Sequence, residues 1–151
     1  MRIDHDALVM VADGGKMLLF RNEGDADYPN LQVEEAAENA NPKDREQRTD
    51  APGRAHSSVG NMRSAMGETD FHDLQEDRFA ADAVNLLNQR ALANAFERLI
   101  IVAPPAVLGE MRKHYNKALG ARLIGEIAKD LTGHHPPDIE RAISDYGSDG
   151  S

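Results

Sequence analysis

Three short segments near the start of the chain carry the hydrophobic pattern of β-strands. Ala7 to Ala12 (ALVMVA) is apolar throughout, which is typical of a buried strand. Asp13-Gly14 follows it and predicts a tight hairpin turn in which glycine adopts a positive φ. Lys16 to Asn22 (KMLLFRN) predicts the returning strand, and Leu31 to Ala36 (LQVEEA) predicts a weaker third strand near the edge of a sheet.

From Phe71 onward the pattern changes to helices that alternate with strands. Apolar residues recur at every third or fourth position from Ala80 to Ala95, which predicts a long amphipathic helix with Thr69 or Asp70 as its N-cap. Arg98 to Ala103 (RLIIVA) is a continuous, β-branched run and predicts the most strongly buried strand of the chain.

Two further helices and one further strand complete the pattern. A helix begins at Pro104-Pro105, because proline is tolerated in a first helical turn. Its predicted inward residues are Val107, Leu108, Met111, Tyr115 and Ala118. Arg122 to Ala128 (RLIGEIA) predicts the fifth strand, and a last helix begins at Pro136-Pro137.

The predicted order of elements is therefore β-β-β-α-β-α-β-α. Strands joined by short links form an antiparallel meander, whereas strands that alternate with helices pair in parallel through right-handed crossovers. We predict a single α/β domain over residues 1–151: a five-stranded mixed sheet in the ribonuclease H-like layout, with helices on its faces. Residues 147–151 (GSDGS) are predicted to form a frayed tail.

Residues 38–70 fit neither the strand nor the helix pattern and predict a long polar loop. Loops of this length in compact domains are usually either functional or disordered. The chain has a net charge of −9, yet the segment from Pro42 to Gly67 has five basic and three acidic residues, so it carries +2 and the rest of the chain −11. Such a segment suits contact with a phosphate backbone, although its composition is equally typical of a tolerated surface insertion.

The layout raises the possibility of a two-metal nuclease, whose site needs several carboxylates that converge on two ions. Asp13 ends the first strand, and the first helix offers Asp73, Glu76 and Asp77, but the fourth strand ends at Ala103 with no acid. Asp13 also has a simpler role as the first residue of an Asp-Gly turn. A nuclease or other hydrolase is therefore the least favoured of the function classes.

No catalytic residue, metal site or cofactor is predicted, and whether the chain is an enzyme is left open. The chain has no cysteine, and its histidines lack the spacings of a zinc site. His134-His135 are predicted to lie in a polar turn and Asp4-His5-Asp6 at a solvated N-terminus. The chain has no pattern typical of a signal peptide or membrane span, so we expect a cytoplasmic protein without membrane contact.

Five segments of the sequence resemble a known family when they are taken together and in order: LVMVADGGKMLLFRN, TDAPGR, RFAADAVNLLNQ, FERLIIVAPPAVLGEMR and EIAKDLTGHHPPDIE. They closely resemble the host attachment proteins, a bacterial family named for attachment to host cells. That family is similar in turn to the middle domain of archaeal and eukaryotic class-one peptide release factors. The resemblance implies a ribonuclease H-like core, in agreement with the strand order predicted from the hydrophobic pattern.

In the release-factor domain, the loop between the third strand and the first long helix carries a Gly-Gly-Gln tip that enters the ribosomal peptidyl-transferase centre. The corresponding stretch here is the polar loop, which has Gly60-Asn61-Met62 and no glutamine at this tip. The resemblance therefore does not imply hydrolysis of peptidyl-tRNA. It implies a basic arm that reaches into an RNA-rich site.

The leading prediction is a non-catalytic module that associates with the ribosome or with structured RNA and affects host attachment only indirectly. The loop residues predicted to contact RNA are Arg45, Arg48, Arg54, Gly60, Asn61, Met62 and Arg63. A second basic patch without an acid is predicted on a helix and comprises Arg112, Lys113, Lys117 and Arg122. The alternative is a protein-interaction or regulatory domain that binds a partner protein. The sequence leaves the oligomeric state undetermined.

Overall fold

The computed structural model of the chain describes residues 1–38 and 74–146. The predicted polar loop from residue 39 onward, the predicted N-cap residues Thr69 and Asp70, and the predicted frayed tail lie outside the described residues. Glu38, the predicted first residue of that loop, is the last residue of a strand. Within the described ranges, no helix is long and apolar enough to cross a membrane.

The five predicted strands are present and form one mixed sheet, which confirms the α/β prediction. The strands are β1 (Leu8–Ala12), β2 (Lys16–Asn22), β3 (Leu31–Glu38), β4 (Leu99–Ala103) and β5 (Leu123–Ala128). Their order across the sheet is β3-β2-β1-β4-β5. β2 pairs antiparallel with β1 and β3, whereas β4 pairs parallel with β1 and β5. The third strand therefore lies at an edge, as predicted, and extends two residues beyond Ala36.

Four helices accompany the sheet in the described ranges. They are α1 (residues 74–92), α2 (Pro105–Arg112), α3 (Lys117–Arg122) and α4 (Pro136–Asp145). The prediction of one helix from Pro104-Pro105 through Ala118 was wrong, because that stretch forms two helices. The side-chain oxygen of Asn116 accepts a hydrogen bond from the backbone N–H of Leu119 at 2.7 Å and caps α3, since asparagine favours this position over a helix interior.

The core lies on both faces of the sheet, and alternate residues of each central strand point to opposite faces. All five residues of β1 and of β4 are buried, which explains why both read as continuous apolar runs. On the first face, Leu8 and Met10 pack in one hydrophobic cluster with residues from α1, α2 and α3. On the second face, Val9 and Val11 pack in a cluster with residues of α4 and of the N-terminal segment.

The side chain of Asp13 holds the turn between β1 and β2. Its Oδ1 accepts hydrogen bonds from the backbone N–H groups of Gly15 at 2.8 Å and Lys16 at 2.7 Å. The predicted hairpin is therefore present, but the predicted positive φ is not, because neither Gly14 nor Gly15 lies in the left-handed region. An aspartate that bonds to the backbone two and three residues later supplies the turn without that conformation.

The direction of the strands defines two opposite edges of the molecule. β1, β4 and β5 run in the same direction, and β3 shares it because β1 and β3 both pair antiparallel with β2. We call the end of the sheet at which these four strands end the carboxyl edge, and the end at which they begin the amino edge. Neither name refers to an edge strand such as β3. The segment that joins β3 to α1 leaves the described structure after Glu38, which lies at the carboxyl edge opposite Lys16.

Candidate functional site

At the carboxyl edge, a threonine hydroxyl connects two aspartates. Thr132 is buried, with 8% of its surface exposed. Its Oγ1 lies 2.8 Å from Oδ2 of Asp13 and 2.8 Å from Oδ1 of Asp130. A hydroxyl has one hydrogen and donates it to one oxygen at a time, so Thr132 alternates between the two carboxylates. The bridge ties the loop after β5 to the turn after β1.

These contacts give Asp13 a structural role. One of its oxygens accepts two backbone N–H groups of the turn, and the other faces the Thr132 hydroxyl. Among residues 1–38 and 74–146, no group of three or more histidines or acids is placed to hold a metal ion. Asp73, one of the acids considered for a nuclease, lies outside the described residues.

The start of the described part of α1 lies against the same turn. A Cβ added to Gly14 would stand 2.7 Å from Cδ of Glu76, so a larger residue at position 14 would displace this side chain. Glu76 and Asp77 line a cleft of about 280 Å³ together with Glu110 of α2. The described part of α1 therefore begins at the carboxyl edge, where β3 also ends, and it brings acidic side chains to that edge.

Two residues of the predicted helix patch are paired with carboxylates. Arg112 donates to Oε1 of Glu126 from Nε at 3.0 Å and from Nη2 at 2.8 Å. Lys113 lies 2.9 Å from Oε1 of Glu110. Both acids lie outside the stretch from Arg112 to Arg122. That stretch therefore contains basic residues and no acid in the sequence, although its cations meet acids in the structure.

Tyr115 completes the contacts of Glu126. Its hydroxyl donates to Oε2 of Glu126 at 2.7 Å. Burial raises the pKa of Tyr115, and the hydrogen bond to Glu126 and its charge raise it further. Partial burial raises the pKa of Glu126, but the hydrogen bonds from Arg112 and Tyr115 outweigh burial, so the pKa falls below its usual value.

The remaining two residues of the helix patch differ from each other. Arg122 points inward and donates to the carbonyls of Phe96 at 3.0 Å and Ala118 at 2.8 Å, and to Oδ1 of Asn94 at 2.6 Å. Lys117 is exposed and has no ion pair with a described residue. Three of the four predicted cations are thus engaged within the protein, and the patch is not one open basic surface.

The loop residues predicted to contact RNA lie outside the described residues, and their role stays a prediction. These residues are Arg45, Arg48, Arg54, Gly60, Asn61, Met62 and Arg63.

A polar cleft that the hydrophobic pattern did not predict lies at the amino edge. The cleft has a volume of about 240 Å³, and its lining includes His5, Asp6, Arg21, Asn94 and Arg98. These residues come from three distant parts of the sequence. The sequence offers only a weak sign of the cleft, because Asp6 and Asn94 are residue types that tolerate a left-handed backbone.

The architecture is that of an α/β domain built on a five-stranded mixed sheet with helices on both faces. Residues 6–143 match the sequence model of Bacterial archaeo-eukaryotic release factor family 12, and the chain belongs to this family. The similarity to release factors expected from the sequence is thereby confirmed, whereas the host attachment name has no support from the comparisons.

One curated relative is the uncharacterized protein RP470 of Rickettsia prowazekii (strain Madrid E). It is 32% identical to this chain over 77 residues, which cover 50% of the chain and 51% of the relative. The chain spans about half the length of the curated relative that it matches.

Proposed function

We propose that this chain is a non-catalytic, cytoplasmic module that associates with RNA, with the ribosome as the first candidate partner. The observation that carries the proposal is membership of a release-factor-like family over residues 6–143. The contact is assigned to the basic segment between β3 and α1, which contains Lys43, Arg45, Arg48, Arg54 and Arg63. Arginine pairs with phosphate oxygens through two parallel hydrogen bonds, and this suits a backbone contact.

The charges of the described residues support the assignment of the RNA contact to the basic segment. Polyanions are bound through lysine and arginine. Arg112, Lys113 and Arg122 already bond to groups of the protein, and the carboxyl edge presents Glu76 and Asp77. Glu76 and Asp77 disfavour a phosphate at their cleft, whereas the net charge of +2 on residues 42–67 favours one.

Two observations support a non-catalytic role for the chain. The chain has no Gly-Gly-Gln sequence, which is the tip that release factors bring to the peptidyl-transferase centre. Both oxygens of Asp13 are occupied by hydrogen bonds within the fold. The finer assignment of the sheet to the ribonuclease H-like layout belongs to this proposal, and the strand order β3-β2-β1-β4-β5 supports it.

Co-sedimentation with ribosomes tests the proposal. The purified chain is expected to sediment with ribosomes at low salt and to leave them at high salt. A triple variant with Arg45→Ala, Arg48→Ala and Arg54→Ala should bind at least about tenfold more weakly. The matched control has Arg2→Ala, Lys129→Ala and Arg141→Ala, which remove the same charge from exposed positions of the described domain. Equal loss in both triple variants, or loss in neither, would refute an RNA contact through the segment.

A protein-interaction or regulatory domain is the second candidate, and the engaged state of the helix patch favours it. A folded surface on which most cations already have partners suits a protein partner better than a nucleic acid. An indirect effect on host attachment would fit either candidate. A pull-down whose partner is retained after ribonuclease treatment would favour this second function, whereas release of the partner would favour RNA.

A further inference from the structure

The polar cleft at the amino edge lies between two backbone segments that enter the parallel pair β1 and β4. Asp6 belongs to the turn before β1, and Arg98 is the residue immediately before β4. Arg21 of β2 closes the cleft between them, and Asn94 and Glu97 come from the connection between α1 and β4. The cleft is independent of the proposed RNA contact, because it lies at the opposite edge of the sheet from Glu38, the last described residue before the basic segment.

Both described non-glycine residues with a positive φ line this cleft. Asp6 has a φ of 67° and Asn94 a φ of 57°. Asn94 has an ordinary reason, since this conformation is common just after a helix and α1 ends there. Asp6 occupies a turn in which the N–H of Ala7 bonds to the carbonyl of Asp4 at 3.1 Å, and glycine would adopt this φ with less strain. Aspartate is one of the residue types that tolerate this conformation, and Asp6 also brings a carboxylate to the lining of the cleft.

Arg21 holds the two walls of the cleft in fixed positions. Its guanidinium donates to the carbonyl of Asp6 at 3.2 Å and to the carbonyl of Ala95 at 3.0 Å. Its Nε donates to Oε1 of Glu34. The backbone on both sides is therefore anchored to one side chain, so the cleft is formed before any ligand arrives.

Two groups of opposite charge in the cleft retain hydrogen-bonding capacity. Arg98 uses Nε for a contact of 3.2 Å with Asp4, and its two terminal nitrogens have no hydrogen-bond partner among the described residues. The carboxylate of Asp6 has one ion-pair contact in the described ranges, Nε2 of His5 at 3.6 Å, and this imidazole is charged only when it is protonated. Nδ1 of His5 lies 2.7 Å from the carbonyl of Gly24, and because a carbonyl only accepts, this nitrogen carries the hydrogen. Nε2 is then the nitrogen that faces Asp6.

We propose that this cleft binds a small zwitterion of the α-amino acid type, with the carboxylate on Arg98 and the ammonium group on Asp6. The two lining groups with unused hydrogen-bonding capacity are one acid and one base, Asp6 and Arg98, and such a pair favours a ligand that carries both charges. A planar guanidinium suits a carboxylate, and a carboxylate accepts from an ammonium group. The volume of about 240 Å³ is below that of pockets for drug-sized molecules and suits a ligand of amino-acid size.

Isothermal titration calorimetry on the full chain tests the proposal. The probes are free α-amino acids, with acetate and methylammonium as molecules that carry only one of the two charges. We expect at least one amino acid to bind with a Kd below about 1 mM and each single-charge probe to bind at least about tenfold more weakly. Amide shifts in an NMR titration should then be largest at Ala7 and Ala95. Acetate or methylammonium binding as tightly as every amino acid, or no binding by any amino acid, would overturn the proposal.

Matched variants assign the two charges. Asp6→Asn keeps a residue that tolerates a positive φ and removes the charge, and Arg98→Gln removes the cationic fork. Each should weaken amino-acid binding at least about tenfold, whereas Arg141→Gln, an exposed change away from the cleft, should leave it unchanged. Undiminished binding in both Asp6→Asn and Arg98→Gln would overturn the assignment. If either variant fails to fold, the comparison of zwitterion and single-charge probes on the unaltered chain decides.

Discussion

The two edges of the sheet use charge in opposite ways. At the amino edge, the guanidinium groups of Arg21 and Arg122 donate to backbone carbonyls and hold loops together. At the carboxyl edge, the carboxylates of Asp13 and Asp130 accept from backbone N–H groups and from Thr132. The comparison teaches that charged side chains at both edges already satisfy backbone groups of the domain itself. A partner that is recognised by charge must therefore be met by groups outside these networks.

The largest effect is expected at Asn22, which organises the amino edge. This fully buried side chain donates to the carbonyls of Ile3 and Asp4 and accepts from the N–H groups of Gly24 and Asn30. Asn22→Ala leaves several buried groups without partners and should lower the free energy of unfolding by about 3 kcal/mol. Urea denaturation measures the change.

The exposed neighbour Gln32 provides the control for this experiment. Gln32→Ala should change the free energy of unfolding by less than about 0.5 kcal/mol. An effect of Asn22→Ala no larger than that would contradict the view that polar side chains organise the amino edge.

Arg122 tests whether the predicted helix patch is structural. Arg122→Met removes three hydrogen bonds, two of them partly buried, and should lower the free energy of unfolding by about 2 kcal/mol. Lys117→Met, on the same helix, removes an exposed charge and should have almost no effect. Equal stability of the two variants in thermal unfolding would show that Arg122 belongs to the surface after all.

Substitutions at Thr132 test whether its hydroxyl stabilises the carboxyl edge, and the expected change in the free energy of unfolding is smaller. Thr132→Val removes the hydroxyl that bridges Asp13 and Asp130 and should lower the free energy of unfolding by about 1 kcal/mol. Thr132→Ser keeps the hydroxyl and should recover most of that loss. A serine variant as unstable as the valine variant would assign the effect to packing of the methyl group.

The smallest effect is the pH dependence of the contact between Glu34 and the arginines of the amino edge. The hydrogen bond from Arg21 lowers the pKa of Glu34 below its usual 4.5, and the charges of Arg21 and Arg90 add to this against the effect of burial. A lowered pKa in the folded state contributes stability above the unfolded pKa, and that stability is lost as the pH falls through the folded value.

Denaturation of Glu34→Gln at two pH values measures this contribution. The variant should be less stable than the unaltered chain by under about 1 kcal/mol at pH 7, and the difference should shrink near pH 3. Glu23→Gln is the control, because Glu23 has no ion pair with a described residue. A difference that grows toward acid would contradict the sign of the pKa shift.

Much of the fold could be predicted because its signals are local. The bounds of β2 follow directly from the apolar run between a turn and a polar loop, and the continuous runs of β1 and β4 reflect burial on both faces. The break between α2 and α3 was missed because the apolar period continues through Tyr115 and Ala118, which do pack against the core. A new helix begins there in spite of that period, because the side chain of Asn116 caps the N-terminus of α3.

The candidate sites could be predicted less well, because their partners are distant in the sequence. Arg122 donates to the carbonyl of Phe96, and Arg112 donates to Glu126. The sequence gives no sign of either contact. The cleft joins Asp6 to Arg98 only through the parallel pairing of β1 with β4. Hydrophobic periodicity carries no information about such pairings of polar side chains.

The salt dependence of binding to ribosomes or structured RNA tests the central claim most directly. If the segment between β3 and α1 neutralises phosphates, the logarithm of the association constant should fall linearly with the logarithm of the salt concentration. The slope should be about −0.7 for each phosphate contacted on a single strand, or roughly −3 for four to five contacts. A slope near zero, or no binding at low salt, would contradict the account.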